Sequence, residues 1–246
     1  MKGGKTKMDN KMMLGLLVIA IVIVAGFIYF PTSQAVVSAQ GISSLEVKPD
    51  KVSIYINVES RADTAQKAKD GLDKILDDTI TALLKTGLER KDIQLINLNV
   101  YPEYDWSDGE QKQKGFLATE QIIVETTNFD LVSGIADAAI DSGALLSYIN
   151  FELSDDKQSE YKAMALEAAS KDAKKKAEAT ARGLGKEIGT LVSIRSEDFN
   201  YGPYRYFDSA VVGTSAASVK EAVANPVPQE LTVSATVNVE YKLKSF

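Results

Sequence analysis

Residues 161–185 read YKAMALEAASKDAKKKAEATARGLG, and this stretch decides the fold because it places one long helix against its neighbour. Its inner stripe recurs every four residues and consists of Tyr161, Ala165, Ala169, Ala173, Ala177 and Ala181. Residues four apart lie on one face of a helix, and alanine methyl groups allow a closer approach than leucine side chains would. The spacing predicts a helix over about residues 156–182, ended by Gly183 and Gly185.

The rest of the chain alternates between strand and helix periodicity. Strands are predicted at residues 52–59, 92–104, 116–125, 149–153, 191–196 and 231–243, and two further helices at residues 61–86 and 128–141. The resulting order is β-α-β-β-α-β-α-β-β, whose first six elements match the split pattern of ferredoxin-like folds. The sequence therefore predicts an α+β fold in which helices cover one face of a mainly antiparallel sheet. The other face is polar on most strands, which indicates either a solvated surface or contact with another subunit.

The 246 residues include no Cys and no His. The missing thiols exclude disulfides, thiolate nucleophiles and Cys-ligated metals, and the missing imidazoles exclude a Ser-His-Asp triad and His-ligated metals. A Ser–Lys pair, paired carboxylates, or no catalysis at all remain. We expect no enzymatic activity and no cofactor.

The first residues predict a membrane anchor. Residues 12–30, MMLGLLVIAIVIVAGFIYF, carry no charge and as a helix would span about 28 Å, close to the bilayer hydrocarbon thickness. The predicted organisation is a basic cytoplasmic tail (1–11), a single transmembrane helix (12–30), a stalk (31–44) and an extracytoplasmic domain (45–246). The alternative is a cleaved signal peptide with a site after Ala39 and a secreted protein, although signal peptides usually have a shorter apolar region.

The charge is unevenly distributed along the chain. The net charge is −6, and residues 1–11 hold four lysines and one aspartate, which leaves −9 on the remainder. An acidic body is poorly suited to phosphate backbones, so nucleic acid is not an expected partner.

Four motifs stand out along the chain: Val47-Lys48-Pro49-Asp50 before a strand, Gly115-Phe116-x-Ala118, Asp137-x-x-x-Asp141-x-Gly143-Ala144, and the Ala/Gly run from Ala168 to Gly189. Together they resemble the SIMPL family. The resemblance covers about residues 44–246. It implies a relationship to bacterial periplasmic immunogenic proteins, some of which form large ring- or channel-like oligomers, and a link to envelope or oxidative stress. It supplies no catalytic residues, and the long apolar anchor departs from the plain periplasmic members.

The motifs that suggest ligand binding have simpler structural interpretations. The glycines at 183, 185 and 189 follow a helix and precede a strand, which is the reverse of a dinucleotide-binding loop. The lysines at 171 and 174–176 are interleaved with acidic residues, as on a solvated helix face. Asp105, Asp108 and Glu110 do not have the spacing of a calcium-binding loop, so no metal site is predicted.

One segment, residues 199–207 (FNYGPYRYF), is the candidate contact site. It is predicted as a loop between two strands, and its candidate residues are Phe199, Tyr201, Tyr204, Arg205, Tyr206 and Phe207. Tyr and Arg are enriched at the energetically important centres of interfaces. An ordinary loop packed over the end of the core is the alternative. Residues 209–229 are predicted to be a mobile excursion before the last strand.

These observations favour a membrane-anchored extracytoplasmic protein that acts without catalysis, through self-association or binding in the cell envelope. Two rival hypotheses remain open. One is an envelope hydrolase that uses a Ser–Lys or carboxylate pair, and the other is a monomeric module that binds a small-molecule ligand of unknown identity.

Overall fold

A computed structural model describes residues 35–106, 109–208 and 215–245. The strands are β1 (Val36–Val47), β2 (Lys51–Ala62), β3 (Ile93–Asp105), β4 (Lys112–Thr126), β5 (Leu145–Glu152), β6 (Lys186–Tyr201), β7 (Tyr204–Asp208) and β8 (Leu231–Ser245). The helices are α1 (Ala65–Lys85), α2 (Val132–Asp141), α3 (Asp155–Gly183) and α4 (Ala216–Ala222), with 3₁₀ turns at Arg90–Asp92 and Phe129–Leu131.

The strands form two antiparallel sheets, so the prediction of a single sheet covered on one face by helices is wrong. The order is β1-β8-β6 in the three-stranded sheet and β3-β4-β2-β5-β7 in the five-stranded sheet. The element order also differs, because the structure adds β1 before the first predicted strand, β7 in the predicted loop and α4 in the predicted excursion.

The alanine stripe of α3 packs on the three-stranded sheet. Gly41 of β1 lies so close to α3 that a Cβ placed on it would be 2.8 Å from the Cβ of Ala173 and still closer to backbone atoms of Ala169 and Ala173. Next to it, the hydroxyl of Ser43 donates to the carbonyl oxygen of Ala165 at 2.8 Å. Because the buried side of β1 must be small here, residues 36–44 lack the bulky alternation that marks a strand, and they were predicted as a stalk.

The main core lies between the five-stranded sheet and helices α1 and α2. The buried side of the sheet is aliphatic and aromatic, and its members include Val52, Ile54, Ile56, Val58, Ile122, Val124, Ile149 and Phe151. Thr64 caps the amino-terminal end of α1, since its side chain accepts a hydrogen bond from the amide of Lys67. The structure confirms these two helices, which were predicted from their periodicity. The sheet on which they pack is one of two sheets, and not the single sheet of the prediction.

Asp50, the last residue of the Val47–Asp50 motif, joins the two sheets. Its carboxylate accepts hydrogen bonds from the amide of Ser154 at 2.7 Å and from the Ser154 hydroxyl at 2.6 Å. Ser154 in turn caps the amino-terminal end of α3. The motif therefore fixes the start of α3 beside the connection from β1 to β2.

The predicted transmembrane helix at residues 12–30 lies outside the described residues. None of the helices in the described ranges is long and apolar enough to cross a membrane.

Candidate contact face

The five-stranded sheet leaves one face without a covering helix within the described residues. We call this surface the open face. It is formed by Lys51, Ser53, Tyr55 and Asn57 of β2, Gln121, Ile123 and Glu125 of β4, Tyr148, Asn150 and Glu152 of β5, and Arg205 of β7. These positions alternate with the apolar residues that face α1 and α2, because successive side chains of a strand point to opposite sides.

A row of stacked side chains crosses the middle of the open face. The rings of Tyr55 and Tyr148 stack with centroids 4.1 Å apart and an interplanar angle of 23°. On the β7 side, the guanidinium carbon of Arg205 lies 4.5 Å from the centroid of Tyr148, and Arg205 also bonds the carboxylate of Asp208 at 3.0 Å. Since β5 lies between β2 and β7, the ring of Tyr148 is held between Tyr55 and Arg205. Cation–π contact and stacking restrict these side chains before any partner arrives.

A charged group lies beside this row, at the ends of β2, β4 and β5. The ammonium of Lys51 is 3.0 Å from Oε1 of Glu125 and 3.5 Å from Oε2 of Glu152. Burial alone would lower the pKa of Lys51, but the hydrogen bond and the charge of Glu125, followed by those of Glu152, outweigh it and raise the pKa. Burial, reinforced by the charge of Glu152, also raises the pKa of Tyr55. At neutral pH Lys51 is therefore an ammonium ion and Tyr55 a neutral phenol.

Ser53 and Asn150 lie under the longer side chains of the open face. The Ser53 hydroxyl donates to Oε2 of Glu152 at 3.0 Å, and the side-chain amide of Asn150 donates to Oε1 of the same carboxylate at 3.4 Å. Asn150 is 6% exposed, and its Oδ1 accepts no hydrogen bond from the residues that the structure describes. A buried acceptor without a donor costs about 1–3 kcal/mol, so this oxygen is a place where a donor group would be stabilising.

The predicted contact residues are distributed over two sheets. Only Arg205 belongs to the open face; Tyr204, Tyr206 and Phe207 point from β7 into the main core. The rings of Tyr204 and Tyr206 pack on Phe151 at centroid distances of 6.4 and 5.6 Å. The predicted loop is in fact two strands joined by residues 202–203.

The remaining two candidates lie at the end of β6. The Tyr201 hydroxyl accepts a hydrogen bond from the amide of Leu153 at 3.3 Å, and burial raises the pKa of Tyr201. Phe199 lies under the ammonium of Lys162, which is 5.8 Å from the ring centroid. Both rings border the smaller core, under the three-stranded sheet. The hypothesis that this segment contacts another subunit or a ligand stays a prediction.

Other members of the open face were missed from the sequence. Tyr55 and Tyr148 occupy polar positions in alternating strands, where an aromatic residue is unexpected and could have served as a signal. Their stacking depends on the pairing register of β2 with β5, which places Tyr55 opposite Tyr148. That register is a property of the fold and not of the local sequence.

The other motifs have structural roles. Gly185 has a φ of +65° at the end of α3, as expected for a helix stop. The lysines of α3 form ion pairs one turn apart, including Lys171 with Glu167 and Lys176 with Asp172. Within the described residues, no group of three or more acidic side chains could hold a metal ion.

Comparison with known proteins places this chain in a family. The model for SIMPL, described as a protein of unknown function (DUF541), matches residues 37–241, and the chain belongs to this family. Its similar relatives include the uncharacterized protein YggE of Escherichia coli strain K12, which is 29% identical over 163 residues. That match covers 66% of this chain and 66% of the relative, so this chain spans slightly less than two thirds of the length of the relative. YggE of Edwardsiella ictaluri is 28% identical over 168 residues, covering 68% of this chain and 70% of the relative.

Proposed function

We propose that this chain is a membrane-anchored, extracytoplasmic SIMPL-domain protein with a non-catalytic role in the cell envelope, acting through self-association or binding. The observation that carries the proposal is the open face, where Tyr55, Tyr148 and Arg205 form a preordered row on a sheet surface that no described helix covers. Tyr and Arg are enriched among the interface residues that contribute most to affinity. Side chains that are already held in one conformation also lose little conformational entropy on binding.

The anchor rests on residues 12–30, whose length and lack of charge suit a bilayer. Lysines before this segment favour an amino terminus in the cytoplasm and a domain outside it. If the proposal is right, carbonate washing leaves the intact chain in vesicles, and protease added outside spheroplasts digests the domain. Release of the intact chain by carbonate, or a carboxyl end protected from external protease, contradicts the placement.

The chemistry of the open face supports a non-catalytic role. Lys51 and Ser53 form one candidate Ser–Lys pair on this face, since both contact the carboxylate of Glu152. A Ser–Lys hydrolase needs a neutral amine as the general base, which requires a lowered lysine pKa. The pKa of Lys51 is raised, so this lysine does not take a proton from Ser53 at neutral pH.

The contact role is tested by a double substitution, Tyr148→Ser with Arg205→Ser, in the full-length chain in mild detergent. Both side chains are on the surface row, whereas Tyr204 and Tyr206 also support the core and would confuse the outcome. The matched control is Arg90→Ser, an exposed arginine in a 3₁₀ turn. Sedimentation velocity should show a smaller assembly for the double variant and no change for the control, with unchanged circular dichroism. An assembly of wild-type size would contradict the proposal, and a wild-type chain that is always monomeric would favour the ligand-binding rival.

A further inference from the structure

The two sheets have four edge strands, and the structure blunts three of them. On β1, the amide of Ile42 donates to the carboxylate of Asp172 at 3.0 Å, so this amide is not available to another strand. On β3, Asn97 has a φ of 59°, and Pro102 supplies no amide donor. The edge strand β7 has only five residues. Such features are common ways in which proteins prevent edge-to-edge pairing.

The fourth edge, β6, is long, and its middle part is apolar. It has 16 residues, and it pairs only with β8 within the described part of the chain. Three aliphatic side chains near its middle are substantially exposed: Leu191 (44%), Val192 (48%) and Ile194 (59%). Between residues 188 and 196 the only charged residue is Arg195. A long apolar edge of this kind is a template for pairing with another strand.

We propose that β6 pairs antiparallel with β6 of a second copy, so that Ile194 lies opposite Ile194 of the partner subunit. This inference rests on the proposed self-association and names one of its contacts. The pairing would join two three-stranded sheets into one continuous six-stranded sheet. A two-fold axis perpendicular to that sheet would place both copies of α3 on the same side.

Symmetry restricts the register. In antiparallel pairs, hydrogen-bonded and non-hydrogen-bonded residue pairs alternate along the strands. When a two-fold axis relates the two strands, this alternation requires that one residue lies directly opposite the same residue of the second copy. The pairing of β6 with β8 is irregular between Leu191 and Ser193 and regular from Ser193 to residue 197. An axis at Arg195 would oppose two like charges, which is destabilising.

An axis at Ile194 avoids both difficulties. It pairs the most exposed of the three aliphatic side chains with itself and places Arg195 opposite Ser193 of the second copy. It also keeps the three central residue pairs within the regular part of the strand. A second copy therefore fits the centre of this edge, where Ile194 meets Ile194 and Arg195 faces Ser193. Further out, the same register places Leu191 opposite residue 197 and Val192 opposite Ser196.

The absence of Cys from the chain allows a direct test with single cysteines. Residues directly opposite in an antiparallel pair have Cα atoms about 4.5–5.5 Å apart, within the range for a disulfide. Ile194→Cys in the full-length chain, in native membranes and in detergent, should form a covalent dimer on mild oxidation. Ser193→Cys should form about tenfold less, because its own copy would be a diagonal neighbour at about 7–8 Å. Val100→Cys, exposed on the β3 edge, controls for random collision.

Mixed samples give a second readout, since Ser193→Cys and Arg195→Cys chains should cross-link with each other more than either does with itself. Equal cross-linking at Ile194, Ser193 and Val100 would overturn the inference. If light scattering shows an oligomer but Ile194→Cys forms no dimer, the β6 contact is wrong and the proposed self-association stands. If the chain is monomeric, both fail.

Discussion

Replacing Gly41 by Ala tests the close packing of β1 on α3, the contact that most distinguishes this fold from the single-sheet prediction. The new methyl carbon would lie 2.8 Å from the Cβ of Ala173, and closer still to the backbone oxygen of Ala169 and the backbone nitrogen of Ala173. Non-bonded carbon atoms are normally about 3.5–4.0 Å apart, so strand and helix would have to separate. The closest atoms belong to the backbone and cannot avoid the methyl group by changing a rotamer.

The size of the effect follows from two opposing contributions. Overpacking of a dense core costs about 1–3 kcal/mol, and a backbone collision lies at the upper end of that range. Alanine in a strand is about 0.5–1 kcal/mol better than glycine because less backbone entropy is lost on folding. We therefore expect Gly41→Ala to lower the free energy of unfolding by about 2 kcal/mol or more.

The assay is urea unfolding of the full-length chain in mild detergent, followed by circular dichroism. Tryptophan fluorescence is less suitable because the single Trp, Trp106, is 63% exposed at a hairpin end. The control is Gly134→Ala in α2, where an added Cβ meets no atom within 4 Å and should stabilise the helix by up to about 1 kcal/mol. A Gly41→Ala protein as stable as the wild type would refute the close contact. In a Gly41→Ala chain, Ala173→Gly should restore only part of the loss, since the backbone contacts remain.

Three further substitutions test individual hydrogen bonds and ion pairs between elements of the structure. Asp50→Ala removes two hydrogen bonds to Ser154 and should cost about 2 kcal/mol in the same assay, against less than about 0.5 kcal/mol for Asp77→Ala on the exposed side of α1. Lys51 has a raised pKa in the folded protein, so its stabilising effect is complete below the unfolded pKa near 10.4 and is lost as the pH rises through the folded value. The stability difference between wild type and Lys51→Met should thus be constant from about pH 7 to 9 and shrink above about pH 10; a constant difference up to pH 11 would contradict the ion-pair assignment. Tyr206→Phe removes a hydroxyl that lies 3.0 Å from the carbonyl oxygens of Ala222, the last residue of α4, and Asn225, and that can donate its one hydrogen to either. The substitution should lower stability by about 1 kcal/mol, whereas no change would indicate that α4 is not held by this hydroxyl.

The helices and inner strands could be predicted from the sequence because their periodicity reflects burial on one side. The alanine stripe of α3 and the alternation in β2 and β8 are of this kind, and the structure buries most of the expected residues, with Tyr161, Tyr241 and Leu243 only partly buried. The motif ending in Asp50 contributes to the family resemblance, but its role depends on Ser154, more than a hundred residues away. A contact at that separation has no local signal.

The misses have separate physical causes. Strand β1 has Gly41 and Ser43 at its two central buried positions, because α3 approaches too closely there for larger side chains. Strand β6 is exposed on both sides near its middle, so its alternation is weak and its predicted length was too short. Residues 199–207 were predicted as a loop because Gly202 and Pro203 interrupt them, although these two residues only carry the chain from one sheet to the other.

The candidate contact face was likewise only partly predictable from the sequence. The sequence indicates Arg205 because it lies among tyrosines, yet the ring that it contacts is Tyr148 of β5, which in turn stacks on Tyr55 of β2. The polar character of one sheet face was predicted, and the open face has that character. Which side chains stack across it required the strand order and register.

The proposed self-association is tested most directly by the mass of the full-length chain in detergent, measured by light scattering with the detergent contribution subtracted. One chain has a mass of 26.7 kDa. We expect a protein mass of at least two chains, which falls when the β6 edge is blocked by Ile194→Lys. A mass of a single chain at every protein concentration would contradict the proposal.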